Sequence, residues 1–319
     1  MASEEHKMLA QYLKEVHSDL RKSSFKNGPE MAWTEHLKNT SVLTTYAEYM
    51  KTLATTHWEP NSEKEAKSVI CRIKWTANFC FDYFILKSYL KYREKDMTIA
   101  QKNNIAIENV NEHFEEPVHL IDVGSCYNPF KKFNYFDVFA VDLCPANDTV
   151  MQCDFLNISI GLITIVENKK VIQLKKCSFD VVAFCFLLEY IPDSNLRIKA
   201  CKNAYDLLRY GGLLIINTPD SKHVGANSRI MKCWRYTLAC MGFSRIKYEK
   251  FKHMHCIAFR KTLHMDIAIR WSKMYKEPYM TYTINIPQDF QDVEDHPITS
   301  TGEEVSFHDF QELPFYECD

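Results

Sequence analysis

Four short stretches of this chain end in residues able to hold a ligand. HLIDVGS (119–125) ends around Gly124, VFAVDL (138–143) around Asp142, QCDF (152–155) in Asp154-Phe155, and FDVVAFCF (179–186) in Phe184-Cys185-Phe186. A glycine just after a strand lets backbone N–H groups approach a ligand closely, because no Cβ intrudes. A carboxylate closing the next strand can accept from both hydroxyls of a ribose. An acid followed by an aromatic can accept from an exocyclic amine and offer a flat apolar wall to a ring. Each residue also has a plainer reading. Gly124 suits a simple turn, Asp142 a helix N-cap, and at least one of Phe184, Cys185 and Phe186 suits strand core. Arg72 and Trp75, on an otherwise core-like helix, are further candidates to face the same ligand, against a surface arginine and a core tryptophan.

These residues need strands to carry them. Short β-branched runs alternating with helical stretches indicate parallel strands in a doubly wound α/β sheet. Strands are expected at 118–123, 137–142, near 149–152, at 179–185 and at 213–217. A helix at 194–210 would stop at Gly211-Gly212, and another at about 226–241 would stop at Gly242. RIKYEKF and MHCIAFRK, two residues apart, suggest a closing antiparallel hairpin. Residues 1–115 read as helices, with a stripe at Met8, Tyr12, Val16 and Leu20. Ser62 and Glu65 resemble a capping box for a long helix over 63–89. Its Trp75, Phe79 and Tyr83 recur at i,i+4, the pattern of a packed face. Residues 94–113 are polar and lead, partly helical, into the first strand. Three parts follow: an N-terminal helical domain (1–115), an α/β domain (116–285) and an acidic tail (286–319).

The strand endings, in this order, match the S-adenosylmethionine (SAM) binding core of a class I methyltransferase, a Rossmann-like fold. The G-x-G-x-x-G dinucleotide fingerprint is absent, and DVGS has one glycine where the methyltransferase pattern has two or three. LIDVGSCYNPF, FAVDLCP, MQCDFL, FDVVAFCFLLEYIP and LLRYGGLLIINTPDS cover about residues 118–221. On these segments the chain resembles the SAMTOR-like family of SAM sensors acting on TOR kinase signalling. That group also includes a fungal methyltransferase modifying N1 of an adenine in large-subunit rRNA. The resemblance implies SAM binding, with S-adenosylhomocysteine in the same place, at Gly124, Asp142, Asp154, Phe155 and Phe184. It also implies SAM-sensitive association with the GATOR and KICSTOR complexes, in the cytoplasm and, through partners, at the lysosomal surface. Methyl transfer to RNA adenine is the alternative. No catalytic residue is assigned: the N/D-P-P-Y/F/W motif is missing, and Glu189 and Tyr190 suit an acceptor or a helix start equally.

Composition bounds these readings. The 319 residues are 46% hydrophobic and 25% charged, as in globular domains. No apolar run approaches the roughly 20 residues that span a bilayer. Twelve cysteines without a CxxC pair point to buried thiols in a reducing compartment. His253, His255 and Cys256 fall on opposite faces of a strand, so no metal site is expected. Net charge is −2, yet residues 277–319 hold eleven acids and no Lys or Arg. The preceding body is therefore basic, a property that suits an ordinary solvated surface, an acidic partner or RNA.

Overall fold

The structure is a computed structural model, and it describes residues 4–58, 71–107, 112–220, 226–251 and 254–290. Three helices come first: α1 (Glu4–Asn27), α2 (Pro29–Lys38) and α3 (Thr40–Thr52). After α4 (Arg72–Cys80) and α5 (Tyr89–Lys102), the chain enters β1 (Val118–Val123), β2 (Phe136–Asp142) and β3 (Met151–Gln152). Three short strands follow: β4 (Ser159–Gly161), β5 (Ile165–Glu167) and β6 (Lys170–Lys175). Then come β7 (Phe179–Cys185), α6 (Ser194–Leu207), β8 (Leu208–Pro219) and α7 (Ala226–Cys240). The hairpin β9 (Phe243–Phe251) and β10 (Met254–Lys261) precedes α8 (Met265–Met274).

One sheet runs β4-β6-β3-β2-β1-β7-β8-β10-β9, with β5 paired to β6. β3, β2, β1, β7 and β8 are parallel, and β10 enters antiparallel between β8 and β9. This is the strand order of a class I SAM-dependent methyltransferase core. β1 pairs with β2 on one side and β7 on the other, and the two leave in opposite directions. A crevice opens there at the carboxyl ends of the strands.

Apolar side chains cover both sheet faces. On one, Ile121, Val182, Leu214, Ile257 and Phe259 pack with α6, with Trp234 of α7, and with Leu20 and Trp33 from α1 and α2. On the other, Leu120, Val181, Ile215 and Ala258 pack with Ile73, Trp75, Tyr83 and Tyr89. Residues 72–102 therefore share the core of the sheet.

Several elements differ from the sequence reading. The long helix over 63–89 begins outside the described residues. Its described part breaks after a π turn at Phe81–Ile85, where Lys87 takes φ 58°. The polar stretch from 94 onward, expected to be partly helical, is helical as far as Lys102, as the second half of α5. It is held by a charge: Asp96, buried, accepts from Arg260 Nε at 3.1 Å. Gly211-Gly212 does not stop α6, which ends at Leu207. The pair lies inside β8, where the pairing with β7 slips between Phe179 and Val181. Gly211 has φ +78°, and its carbonyl accepts from Tyr83 (2.8 Å) and Arg260 (3.1 Å). The insertion β4–β6 has no counterpart among the strands expected from the sequence. His253 lies outside the described residues, while His255 bonds Tyr248 (2.9 Å) and Asp220 (2.8 Å). Among the described residues there is no metal-ligand cluster, every cysteine is a thiol, and no helix is long and apolar enough to cross a membrane.

Candidate functional site

At the crevice lies a cavity of about 1070 Å³, mouth included. Its floor comes from the sheet: Asp122, Val123 and Gly124 at the end of β1, Asp142 closing β2, Phe155 after β3, and Cys185 to Leu187 at the end of β7. Its roof comes from the N-terminal helices: Trp33 of α2, Leu43, Tyr46, Ala47 and Met50 of α3, Arg72 and Ile73 of α4.

Gly124 takes φ +73°, a conformation L side chains rarely adopt, and a Cβ there would stand 3.1 Å from Leu187 Cδ1. Asp142 reaches the cavity with a carboxylate that accepts from the backbone N–H groups of Cys126 (2.9 Å) and Cys144 (3.0 Å). Burial outweighs those donors and pushes its carboxyl up to about 6. Two of the four lone-pair directions of a carboxylate are thus taken, and the others can meet hydroxyl groups.

Asp122 is a site residue that pattern reading passed over. It is 1% exposed, and neither carboxylate oxygen has a hydrogen bond of normal geometry. The Ser125 hydroxyl and the Arg72 charge are close enough to favour ionisation, but burial prevails and raises the carboxyl to about 7. A buried carboxyl without a proper partner, lining a cavity, suits a cationic ligand group. Its only sequence signal was its place two residues before Gly124.

The remaining expected residues divide. Phe155 lines the cavity. Phe184 does not: it is fully buried and meets Phe155 edge-on at 5.8 Å from the other side. Alternation along the strand explains this, since the neighbouring Cys185 faces the cavity. Asp154 also stands back. It accepts from Leu156 N (3.2 Å), Asn157 Nδ2 (2.7 Å) and Trp33 Nε1 (3.2 Å), so it acts on the cavity through Trp33. Arg72 does line the cavity, 4.9 Å over the Phe186 ring, and Phe186 itself holds φ 61°. Burial opposes the Arg72 charge, but Tyr127, Cys185, Cys71 and Asp122 around it hold its pKa up. Trp75 faces away and donates to Glu249.

Helices and loops are tied across the cavity. Tyr190, after β7, meets His36 Nε2 at 2.5 Å and the Tyr46 ring at 4.9 Å. Tyr46 OH pairs with His17 Nε2 at 2.8 Å. Burial, with Arg21 and His36 nearby, lowers His17 to about 3, and burial lowers His36 too, so the cluster is neutral near pH 7. Lys51 of α3 donates to the Ala146 carbonyl at 3.1 Å.

Residues 91–279 match the family model "25S rRNA (adenine(2142)-N(1))-methyltransferase, Bmt2". The chain belongs to the Bmt2 family. It is similar to the "S-adenosylmethionine sensor upstream of mTORC1" of Xenopus laevis, 36% identical over 315 residues, covering 90% of this chain and 76% of that relative. The Danio rerio protein of the same description is 34% identical over 339 residues, covering 98% of this chain and 81% of that one. Among solved structures, the N-methyltransferase NodS of Bradyrhizobium japonicum WM9 with S-adenosyl-L-homocysteine overlaps 53% of this chain and 86% of its own, at 15% identity and a TM-score of 0.31.

The lining of this family member's cavity offers chemistry for each kind of group that SAM carries. The Asp122 carboxyl can take an ammonium, the backbone of the Gly124 turn a carboxylate, Asp142 ribose hydroxyls, and Phe155 with Leu156 a flat aromatic ring. The rings of Tyr46, Tyr127 and Tyr190 on the wall suit a sulfonium cation.

Proposed function

We propose that this protein binds SAM, and S-adenosylhomocysteine in the same place, at Gly124, Asp122, Asp142 and Phe155, with Arg72 on the α4 wall. Its output is a change in partner binding upstream of a TOR kinase complex. In the SAM-poor state it associates with GATOR and KICSTOR assemblies, and filling the cavity ends that association. It works in the cytoplasm and reaches the lysosomal surface through those partners. The names of its Xenopus and Danio relatives support the sensor reading.

The observation that carries the proposal is the composition of the cavity wall. Sheet loops and N-terminal helices supply it together, through Trp33, Tyr46 and Tyr190. A ligand touching both parts has different free energies with the helices seated or displaced, which is the condition for a ligand to shift a conformational equilibrium. Calorimetry with SAM, S-adenosylhomocysteine and NAD is the first test, with NAD expected to bind far more weakly. Pulldown of GATOR and KICSTOR components should succeed without SAM and fail with it. Equal capture in both conditions removes the sensor reading.

The family description favours a second reading, SAM-dependent methylation of an adenine in RNA. Of the two polar groups after β7, Glu189 accepts from Thr218 Oγ1 (2.5 Å) and Tyr190 is bonded to His36. Either group must leave its partner before it can handle an acceptor. Transfer of labelled methyl groups to an RNA pool distinguishes this reading from the first.

A further inference from the structure

Two guanidinium groups at the β9 edge of the sheet, away from the cavity, have no anionic partner among the described residues. Arg235 of α7 lies over Trp271 of α8, 3.8 Å from the ring centre, and Trp271 stacks on Tyr275 at 5.5 Å. Arg245 of β9 lies over Tyr248 at 5.2 Å. The β9–β10 register slips between Ala258 and Phe259, so Ile246 is an extra residue. That bulge brings Arg245, opposite Phe259, and Tyr248, opposite Ile257, to the same face, the one covered by α7.

Among the described residues neither arginine makes a hydrogen bond or an ion pair; their contacts are to rings. Both are partly buried. Burial, with Arg245 beside it, pushes the Arg235 guanidinium down to about 10. Two partly desolvated like charges without a counter-ion disfavour the fold, and an anion placed between them relieves both penalties.

The chain itself carries a suitable anion. Residues 291–319 contain nine Asp and Glu, no Lys or Arg, and the aromatics Phe307, Phe310, Phe315 and Tyr316. The last described turn, Pro287–Phe290, packs against α7, the helix that bears Arg235. α7 is roughly 22 Å long at about 1.5 Å per residue, while the segment beyond Phe290 can span up to roughly 95 Å. Distance is no obstacle, and tethering gives the segment an effective concentration on the order of millimolar. An untethered polyanion must compete with it.

We propose that the acidic segment 291–319 docks on the Arg235–Arg245 face. Its carboxylates neutralise the two guanidiniums, and its aromatic side chains lie on the Trp271–Tyr275 shelf. The face is then covered by the chain's own tail until a competing anionic partner displaces it.

Carbodiimide coupling of the full-length protein, read by peptide mass spectrometry, tests this. Tail carboxylates should couple preferentially to Lys273 and Lys276, the lysines nearest the shelf in sequence. The yield should fall several-fold at about 0.5 M salt, where the Debye length is only a few ångströms. It should fall as far in Arg235→Gln/Arg245→Gln. Coupling spread evenly over all exposed lysines, or insensitive to both changes, overturns the proposal.

A second variant leaves the body intact: the nine tail acids replaced by Asn and Gln. Its affinity for heparin should rise about ten-fold as the tethered competitor is lost, and this gain should vanish when both arginines are also replaced. Unchanged heparin affinity, or a gain that persists without the arginines, rejects the docking site.

Discussion

Burial holds the carboxyl groups of Asp122 and Asp142 at about 7 and about 6, against an ordinary value of 3.8. The folded protein therefore keeps protons that the unfolded chain has released. Each group lowers stability as pH rises from about 4 to its folded value, and no further above it. A cationic ligand group against Asp122 reverses the preference and favours the carboxylate. SAM affinity should thus be full above about pH 7 and fall as pH drops, by up to about ten-fold per unit for one coupled proton. Calorimetry near pH 7.5, 6.5 and 5.5 measures this, and Asp122→Asn should bind weakly with a flatter profile. A wild-type affinity that does not change with pH would rule Asp122 out as the ammonium site. Gly124 gives a second prediction. Gly124→Asp puts an anion and a Cβ into the turn expected to hold the SAM carboxylate, at a backbone strain of roughly 1–2 kcal/mol. Folding, followed by circular dichroism, should survive while SAM binding disappears. Normal binding by this variant would place the cofactor elsewhere.

At the scale of elements, the C-terminal segment is more than a tail. Arg197 of α6 is fully buried and donates to the carbonyls of Leu188, Ile191 and Ile284. Its charge is matched by Asp289, which accepts two bonds at 2.5 and 2.9 Å. Ile284 and Ile286 are buried beside it, and Trp234 donates to the Asn285 carbonyl at 2.7 Å. The acidic region expected from 286 onward thus begins inside the fold. Asp289→Ala leaves a buried guanidinium without its counter-charge and should destabilise by about 3–5 kcal/mol, read by urea unfolding. Truncation after 290 keeps this pair and should change SAM affinity by no more than a few-fold. A large loss on that truncation would mean that the tail completes the cavity. The described part of the helix expected over 63–89 and the stop expected at Gly211-Gly212 depart from the structure for a related reason. An i,i+4 aromatic stripe and a glycine pair have the same local signature whether the helix runs on or breaks, and whether the glycines cap a helix or bulge a strand.

For the whole molecule, the cavity joins two parts of the chain far apart in sequence. SAM touching Trp33, Tyr46 and Tyr190 together should hold α1–α3 against the sheet. Hydrogen exchange in residues 4–58 should slow on SAM addition, well beyond any change in the distant strands β9 and β10. Unchanged exchange there would leave the pocket without a route to a partner surface. The basic body and acidic extension read from composition belong to this scale too, but composition does not say where on the surface the charges meet. The Arg235–Arg245 pair depends on a β-bulge and on the packing of α7 against α8.

The sequence by itself determined the doubly wound sheet, the closing hairpin and the positions of Gly124, Asp142 and Phe155. Strand periodicity and residue type are local properties, and a parallel sheet brings successive strand ends to one edge. Only the tertiary structure decided which side chains face the cavity. Phe184 turns into the core because neighbouring strand residues alternate. Asp154 is taken up by Trp33, more than a hundred residues earlier in the chain. Asp122 comes to line the cavity, and folding buries it there without a proper partner. Burial and partnership are set by segments that meet only in the folded protein, so no spacing along the chain could have announced them.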